Sequence, residues 1–225
     1  NDIFICAVAD GMGGHKGGGL ASSTALNTLR KRLIALDGNP LEAYVRELDE
    51  IVGAINANIM AYSERNEELK GMGTTISACI VQGRKLVVFH VGDSRLYTID
   101  RKNIVQVTKD HSLVQRLIDE GRITPEEAAY HPRKNVLTRA LGSTERLSAD
   151  VQEVTIIPGT RVLLCSDGLT TMLNDKQIHQ IVQQASNCEV AVDNLITQAN
   201  KAGGYDNVTV IVFEIGDEDE QQQTT

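Results

Sequence analysis

Between residues 74 and 108 the chain is cut into four short runs rich in β-branched residues, 74–82, 85–91, 94–99 and 103–108, by the pairs Gly83-Arg84, Gly92-Asp93 and Asp100-Arg101. Breaks this short reverse a strand directly, whereas parallel neighbours need a crossover of about a dozen residues or more. The segment therefore predicts an antiparallel meander. Further strand signals fall at 3–9, 151–157, 161–166 and 207–215. The 3–9 run is continuously apolar, as in a strand buried on both faces. Helical periodicity occupies the gaps. Leu26, Leu29, Leu33 and Leu36 form one apolar stripe, broken at Asp37-Gly38-Asn39-Pro40, and Leu41, Val45, Leu48, Ile51, Ile55, Ile59 and Tyr62 form a second that ends near Asn66. Two more helices are predicted at 174–185 and 189–201. Because strands cluster instead of alternating strictly with helices, the pattern predicts an α+β layered fold with helices outside antiparallel sheets.

Residues 112–146 are more polar than their surroundings. They contain a helix start at Thr124, with Pro125 in the first helical position and Glu127 placed to complete a capping box. This reads as a helical insertion between strands. At 225 residues the chain fits one domain, expected over 1–215, with an acidic, Gln-rich tail at 216–225 expected to be disordered. Aromatic residues make up 4% and Trp is absent, so Val, Ile, Leu and Ala must build the core. The net charge of -8 disfavours attraction to nucleic acid or to an anionic membrane. No apolar run approaches the roughly 20 residues that span a bilayer, and no charged-then-apolar leader opens the sequence, so a cytoplasmic location is expected. Cys6, Cys79, Cys165 and Cys188 lack ligand spacing and are expected to be free, mostly buried thiols.

The chemistry gathers around four aspartates, each at the end of an apolar run and beside glycine: Asp10-Gly11, Gly92-Asp93, Asp167-Gly168 and Gly204-Tyr205-Asp206. Any one Asp-Gly pair is ordinarily a turn signal. In combination, carboxylates at strand ends can converge on one rim of a sheet, with glycine allowing close approach of backbone or phosphate oxygens. Such a cluster repels itself unless protons or cations neutralise it. An oxygen-only ligand set favours Mg²⁺ or Mn²⁺ over Zn²⁺. The glycines at 11, 13, 14, 17, 18 and 19 match neither a P-loop nor a clean dinucleotide fingerprint, so a nucleotide site is not expected.

Seven segments carry a resemblance to a known family: Val8-Ala9-Asp10-Gly11-Met12-Gly13-Gly14, Gly73-Thr74-Thr75, His90-Val91-Gly92-Asp93-Ser94-Arg95, Thr108-Lys109-Asp110-His111-Ser112, Leu137-Thr138-Arg139-Ala140-Leu141-Gly142, Ser166-Asp167-Gly168-Leu169 and Gly203-Gly204-Tyr205-Asp206-Asn207-Val208-Thr209. In this order they make the chain similar to the type 2C (PPM) metal-dependent serine/threonine protein phosphatases in their compact bacterial form. The resemblance implies a central sandwich of two antiparallel sheets flanked by helix pairs. It implies that Asp10 bridges two core ions, that the Gly11 carbonyl joins one, and that Asp167 and Asp206 hold the other, making Asp10, Asp167 and Asp206 the catalytic set. Asp93 with Asp167 would form a weaker third metal site, and 112–146 would be a flap shaping substrate access. A metal-activated water would attack phosphorus directly, leaving Cys6 and Cys165 as core. The implied partners are phosphorylated proteins, including a Ser/Thr kinase, with the enzyme acting as a monomer.

The pattern is incomplete in places. Relatives carry a phosphate-binding Arg and an acidic motif on a strand before the first Asp-Gly; that segment is expected to precede Asn1, the alternative being a missing strand that would weaken phosphate binding and leave one sheet short. Gly19 stands where relatives have Glu, with an expected effect on packing or on contacts behind the metal loop. Met12 replaces a histidine of animal relatives, which leaves the general acid open; His111 and His131 are candidates by location, against a structural or solvated role. Arg133, Lys134 and Arg139 are candidates for positive charge near the phosphate, with Arg139 more suited to structural pairing. Two other readings stay open: a catalytically weak phosphate-sensing or scaffolding domain, and a metal-dependent nuclease, which the negative charge disfavours.

Overall fold

The computed structural model describes residues 3–144 and 146–216. Most of the expected tail lies outside these residues. Two four-stranded antiparallel sheets face each other. The first has the order β1 (Phe4–Val8), β4 (Ile76–Gln82), β5 (Lys85–Val91), β8 (Asp150–Thr155); the second runs β10 (Val210–Glu214), β9 (Arg161–Cys165), β6 (Arg95–Ile99), β7 (Ile104–Gln106). A two-stranded ribbon joins β2 (Gly11–Met12) to β3 (Gly73–Thr74).

Helices α1 (Gly14–Ile34) and α2 (Leu41–Arg65) cover the first sheet, and α6 (Asp175–Gln184) and α7 (Cys188–Lys201) cover the second. The period-two alternation of strands builds these layers. On β4, Ile76, Ala78 and Ile80 face the helices, while Cys79 and Val81 face the other sheet. Leu96, Val162 and Leu164 of the second sheet meet them in the sandwich interior. The result is the expected α+β arrangement in four layers.

Several expectations need correction. The four runs from 74 to 108 do not form one meander: β4 and β5 pair in the first sheet, β6 and β7 in the second. Gly92, at φ 111, carries the chain from one sheet to the other, and a Cβ there would lie 2.5 Å from the Thr75 side chain. Helix α1 begins within the glycine run, earlier than the leucine stripe suggested, with Gly17 and Gly18 buried. On α2 the core face passes through Tyr44 and Val52, and Val45 and Tyr62 are exposed. The insertion forms α3 (Leu113–Asp119) and α4 (Pro125–Ala129), the latter with the capping box at Thr124 and Glu127. The last strand starts at Val210 instead of Asn207. All four cysteines are free, Cys79 and Cys165 fully buried.

Candidate metal centre

Asp10 follows β1 and Asp93 lies between β5 and β6, while Asp167 opens the short helix α5 (Asp167–Thr170) after β9 and Asp206 sits between α7 and β10. Both sheets therefore contribute to one rim. The Asp10 and Asp167 carboxyl groups lie close enough to hydrogen-bond when one of them is protonated, and Asp206 acts on both through its charge. Asp93 senses Asp167 and Asp10 from the other side.

Each carboxylate is fixed by small polar side chains around its backbone. The Asp10 amide donates to Thr75 Oγ1 at 2.9 Å, and the Asp10 carbonyl accepts from the Thr75 amide and the Thr74 hydroxyl, both at 2.9 Å. Thr75 Oγ1 is also 2.7 Å from Ser94 Oγ, which ties the Asp10 peptide to the residue after Asp93. Across the rim, the Ser166 amide donates to Thr209 O at 3.1 Å, the Thr209 amide donates to Ser166 Oγ at 3.1 Å, and the Ser166 hydroxyl donates to Asn207 O at 3.2 Å. A Cβ on Gly168 would stand 2.2 Å from Asn207 O, so only glycine allows the Asp167 and Asp206 segments to pack this closely. Gly11 and Gly18 touch in the same way: a Cβ on Gly18 would lie 2.5 Å from the Gly11 carbonyl oxygen.

Burial and like charge act together on the cluster. The Asp10 carboxyl is pushed above the usual carboxylate range, first by burial and then by Asp167 and Asp206. Asp167 moves the same way, again chiefly through burial. Asp93 is pushed up to about 7 by burial, reinforced by Asp167, Asp110 and Asp10. The nearby Arg95 cation offsets this only in part. Arg95 is engaged with Asp110 through Nε–Oδ1 at 2.9 Å and Nη2–Oδ2 at 2.8 Å, and its Nη1 donates to Tyr97 Oη at 2.9 Å.

A hard divalent ion fits such a donor set: carboxylate oxygens only, held by clamped backbone, with Asp10, Asp93 and Asp167 pushed up by burial and by neighbouring carboxylates. Among the described residues no three His, Cys, Asp or Glu side chains close around a single point. The arrangement is a tight Asp10–Asp167 pair with Asp206, exposed, and Asp93, half-buried, beside it.

The histidine candidates for proton transfer are each engaged by other groups. His111 is buried, accepts from the Gly92 amide at Nδ1 (3.0 Å), and meets Asp150 Oδ2 at Nε2 (3.1 Å). Its ring stacks 4.7 Å from that of His90, whose pKa burial lowers to about 4. His90 Nε2 in turn donates to Lys109 O at 3.1 Å. His131 Nδ1 accepts from the Arg133 amide within the flap. Arg139 pairs with Asp150 at 2.6 Å, the structural role expected of it. Arg133 and Lys134 are exposed, and Lys134 lines a cavity beside Asp93 and Asp167. A Cβ on Gly19 would meet nothing within 4 Å, so its missing side chain leaves no gap in the packing. The polar clamps Thr75–Ser94 and Ser166–Thr209 were not assigned roles from the sequence, although Gly73-Thr74-Thr75 stood out as a motif.

Two facing antiparallel sheets, each supplying carboxylates to one shared rim and each backed by a helix pair, define a class: the metal-dependent phosphatases built on a β-sandwich. Comparison with known proteins agrees. The Protein phosphatase 2C family model matches residues 1–200, and the chain belongs to that family. The serine/threonine phosphatase stp of Listeria monocytogenes serotype 4b (strain F2365) is 39% identical over 214 residues, covering 93% of this chain and 84% of that protein. The crystal structure of serine/threonine phosphatase Stp1 from Staphylococcus aureus superposes with a TM-score of 0.90 at 35% identity, covering 95% of this chain and 84% of that one. The catalytic domain of serine threonine protein phosphatase PstP, solved in complex with two manganese ions, gives a TM-score of 0.83 at 37% identity, covering 96% of this chain and 91% of that one.

Proposed function

We propose that this chain hydrolyses phosphoserine and phosphothreonine esters of other proteins at a metal centre on the carboxylate rim, a Ser/Thr kinase being one of its substrates. The observation that carries the reading is the Asp10–Asp167 pair, two carboxyl groups from different sheets forced into hydrogen-bonding range with Asp206 and Asp93 beside them. Such an arrangement stores repulsion that a cation relieves.

Asp10, Asp167 and Asp206, with the Gly11 carbonyl, would hold two core ions, Mn²⁺ or Mg²⁺, and Asp93 with Asp167 a weaker third. Ions there supply positive charge to a phosphoryl group and acidify water, the terms that matter most for so inert an ester. The protein's own part is positional. Thr74 and Thr75 fix the Asp10 backbone, Thr75 reaches Ser94 beside Asp93, and Ser166, next to Asp167, holds the Asn207 carbonyl beside Asp206. Residues 1–215 act as one phosphatase domain with 112–146 as its flap. The chain acts as a monomer in the cytoplasm; no helix among the described residues is long and apolar enough to cross a membrane.

The test is turnover of p-nitrophenyl phosphate and of a phosphothreonine peptide, with and without Mn²⁺. Metal-dependent release of phosphate from both, abolished in Asp167→Ala and Asp206→Ala, is the expected result. Absence of turnover with metal present would favour the scaffolding reading, and near-normal activity in either variant would remove that residue from the site.

A further inference from the structure

Helix α3 carries two apolar stripes. Leu113 and Leu117 are buried in the protein, whereas Val114 and Ile118, also one turn apart, remain half-exposed. A short amphipathic helix ordinarily needs only the first stripe. The second lines a cavity of about 320 Å³, within the size range of small-ligand clefts. Pro125 and Ala128 of α4 line the same cavity, and so do Thr170 and Thr171, which follow Asp167.

Three features connect this cavity to the carboxylate rim and define what it can hold. Asp93 and Asp167 belong to its lining, so it opens directly beside the place where a phosphoryl group would sit. Arg95 and Asp110 also line it, but each already satisfies the other through a bidentate pair. Lys134, exposed on the flap, lines it too and forms no ion pair among the described residues. A charged side chain entering the cavity would lose water against the Val114–Ile118 wall. An acidic one would gain Lys134 but face Asp93 and Asp167, and a basic one would gain those two carboxylates only where no cation already occupies them. An apolar side chain loses nothing and covers the stripe.

We propose that this cavity is a specificity subsite: it seats the substrate side chain adjacent to the phosphorylated residue and selects an apolar one, with Ile118 and Val114 as its selecting wall. The proposal rests on the phosphatase reading and deepens it by naming the substrate class, phosphopeptides with an aliphatic neighbour to the phosphoresidue.

Phosphothreonine peptides identical except for Leu, Ala, Asp or Lys at each flank of the phosphoresidue, assayed with Mn²⁺, test it. At one flank Leu should exceed Asp and Lys in kcat/KM by about ten-fold or more, the scale on which an apolar pocket discriminates. In Ile118→Asp, and separately in Val114→Asp, the Leu-to-Lys ratio should fall toward unity or invert. Both side chains are partly solvent-exposed, and the wild-type series stands without the variants. Equal kcat/KM across the series, or a Leu preference unchanged in both variants, would overturn the subsite. p-Nitrophenyl phosphate run on the same wild-type preparation separates the failures: turnover of that ester without flank preference overturns the subsite alone, and no turnover of any ester overturns the phosphatase reading and the subsite with it.

Discussion

The Gly92 amide donates to Nδ1 of His111 across 3.0 Å, and the His111 amide returns a bond to the Gly92 carbonyl at 2.7 Å. This reciprocal pair fastens the segment bearing Asp93 to the root of the flap. Because Nδ1 accepts, the neutral ring carries its proton on Nε2, toward Asp150. The Arg139 Nη1 atom 2.9 Å from Nε2 then faces a donor, and the shared Asp150 holds the two together. In His111→Ala the buried Gly92 amide loses its partner, at a cost of about 1–3 kcal/mol. His111→Asn keeps an acceptor where Nδ1 stood and should lose less. Urea unfolding of both variants checks this, and equal losses would contradict it.

Asp167→Asn should separate stability from activity. Replacing one of the closely packed Asp10 and Asp167 carboxyl groups removes a charge from a cluster whose mutual repulsion raises the Asp10 carboxyl, and leaves Asp10 facing an uncharged amide. Its melting temperature without divalent ions should rise above that of the wild type, while phosphate release with Mn²⁺ is lost. A variant that melts lower than the wild type without metal would mean that the pair is not repulsive at neutral pH.

The same physics predicts a pH dependence. In the metal-free folded protein Asp93 holds its proton up to about 7, against 3.8 for the unmodified group. The unfolded chain releases that proton first, so the contribution of Asp93 to stability is full below about 4 and disappears as pH rises through about 7. His90, held near 4 by burial, pulls the other way below its usual 6.5. Comparing wild type with Asp93→Asn cancels the histidine. In EDTA, the melting temperature of the Asn variant relative to wild type should climb between pH 4 and pH 8, and a constant difference would refute the shift.

Adjacent glycines of α1 should respond in opposite directions. A Cβ on Gly18 would stand 2.5 Å from the Gly11 carbonyl oxygen, backbone against backbone, while a Cβ on Gly19 meets nothing within 4 Å. Gly19→Ala should stabilise by about 0.5–1 kcal/mol through helix propensity. Gly18→Ala should destabilise and reduce turnover, since Gly11 adjoins Asp10. Denaturant midpoints of the two variants give the comparison.

How far the sequence revealed this molecule differs from one feature to the next. The capping box at Thr124 and the helix end at Asn66 follow local rules that the chain carries within a few residues, and they appear as read. Asp10, Asp93 and Asp167 were equally legible, since each lies two residues past an apolar strand, whereas Asp206 follows helix α7 and stands ahead of β10 instead of ending a strand. The division of the 74–108 runs between two sheets was not, because Gly92-Asp93 looks like any hairpin break; the crossing depends on Ser94 and Thr75 meeting across the interior. Stripe assignments on α2 went astray for a related reason. Val45 and Tyr44 are one residue apart, and which of them faces the sheet is decided by how the helix is rotated against it. The ribbon of β2 and β3 has two residues per strand, too few for any periodicity to register.

Asp10 follows a strand of the first sheet and Asp167 a strand of the second, Asp93 sits on the crossing between the sheets, and Asp206 precedes the last strand of the second. An active centre drawn from these four cannot exist in any fragment of the fold. During synthesis it stays incomplete until the segment bearing Asp206 has emerged and docked beside Ser166, so a nascent or half-unfolded chain carries no partial activity toward its surroundings. Specific activity in a preparation thus counts fully assembled molecules, and a loss of activity that precedes any loss of secondary structure on heating would mark the two sheets parting before either one melts.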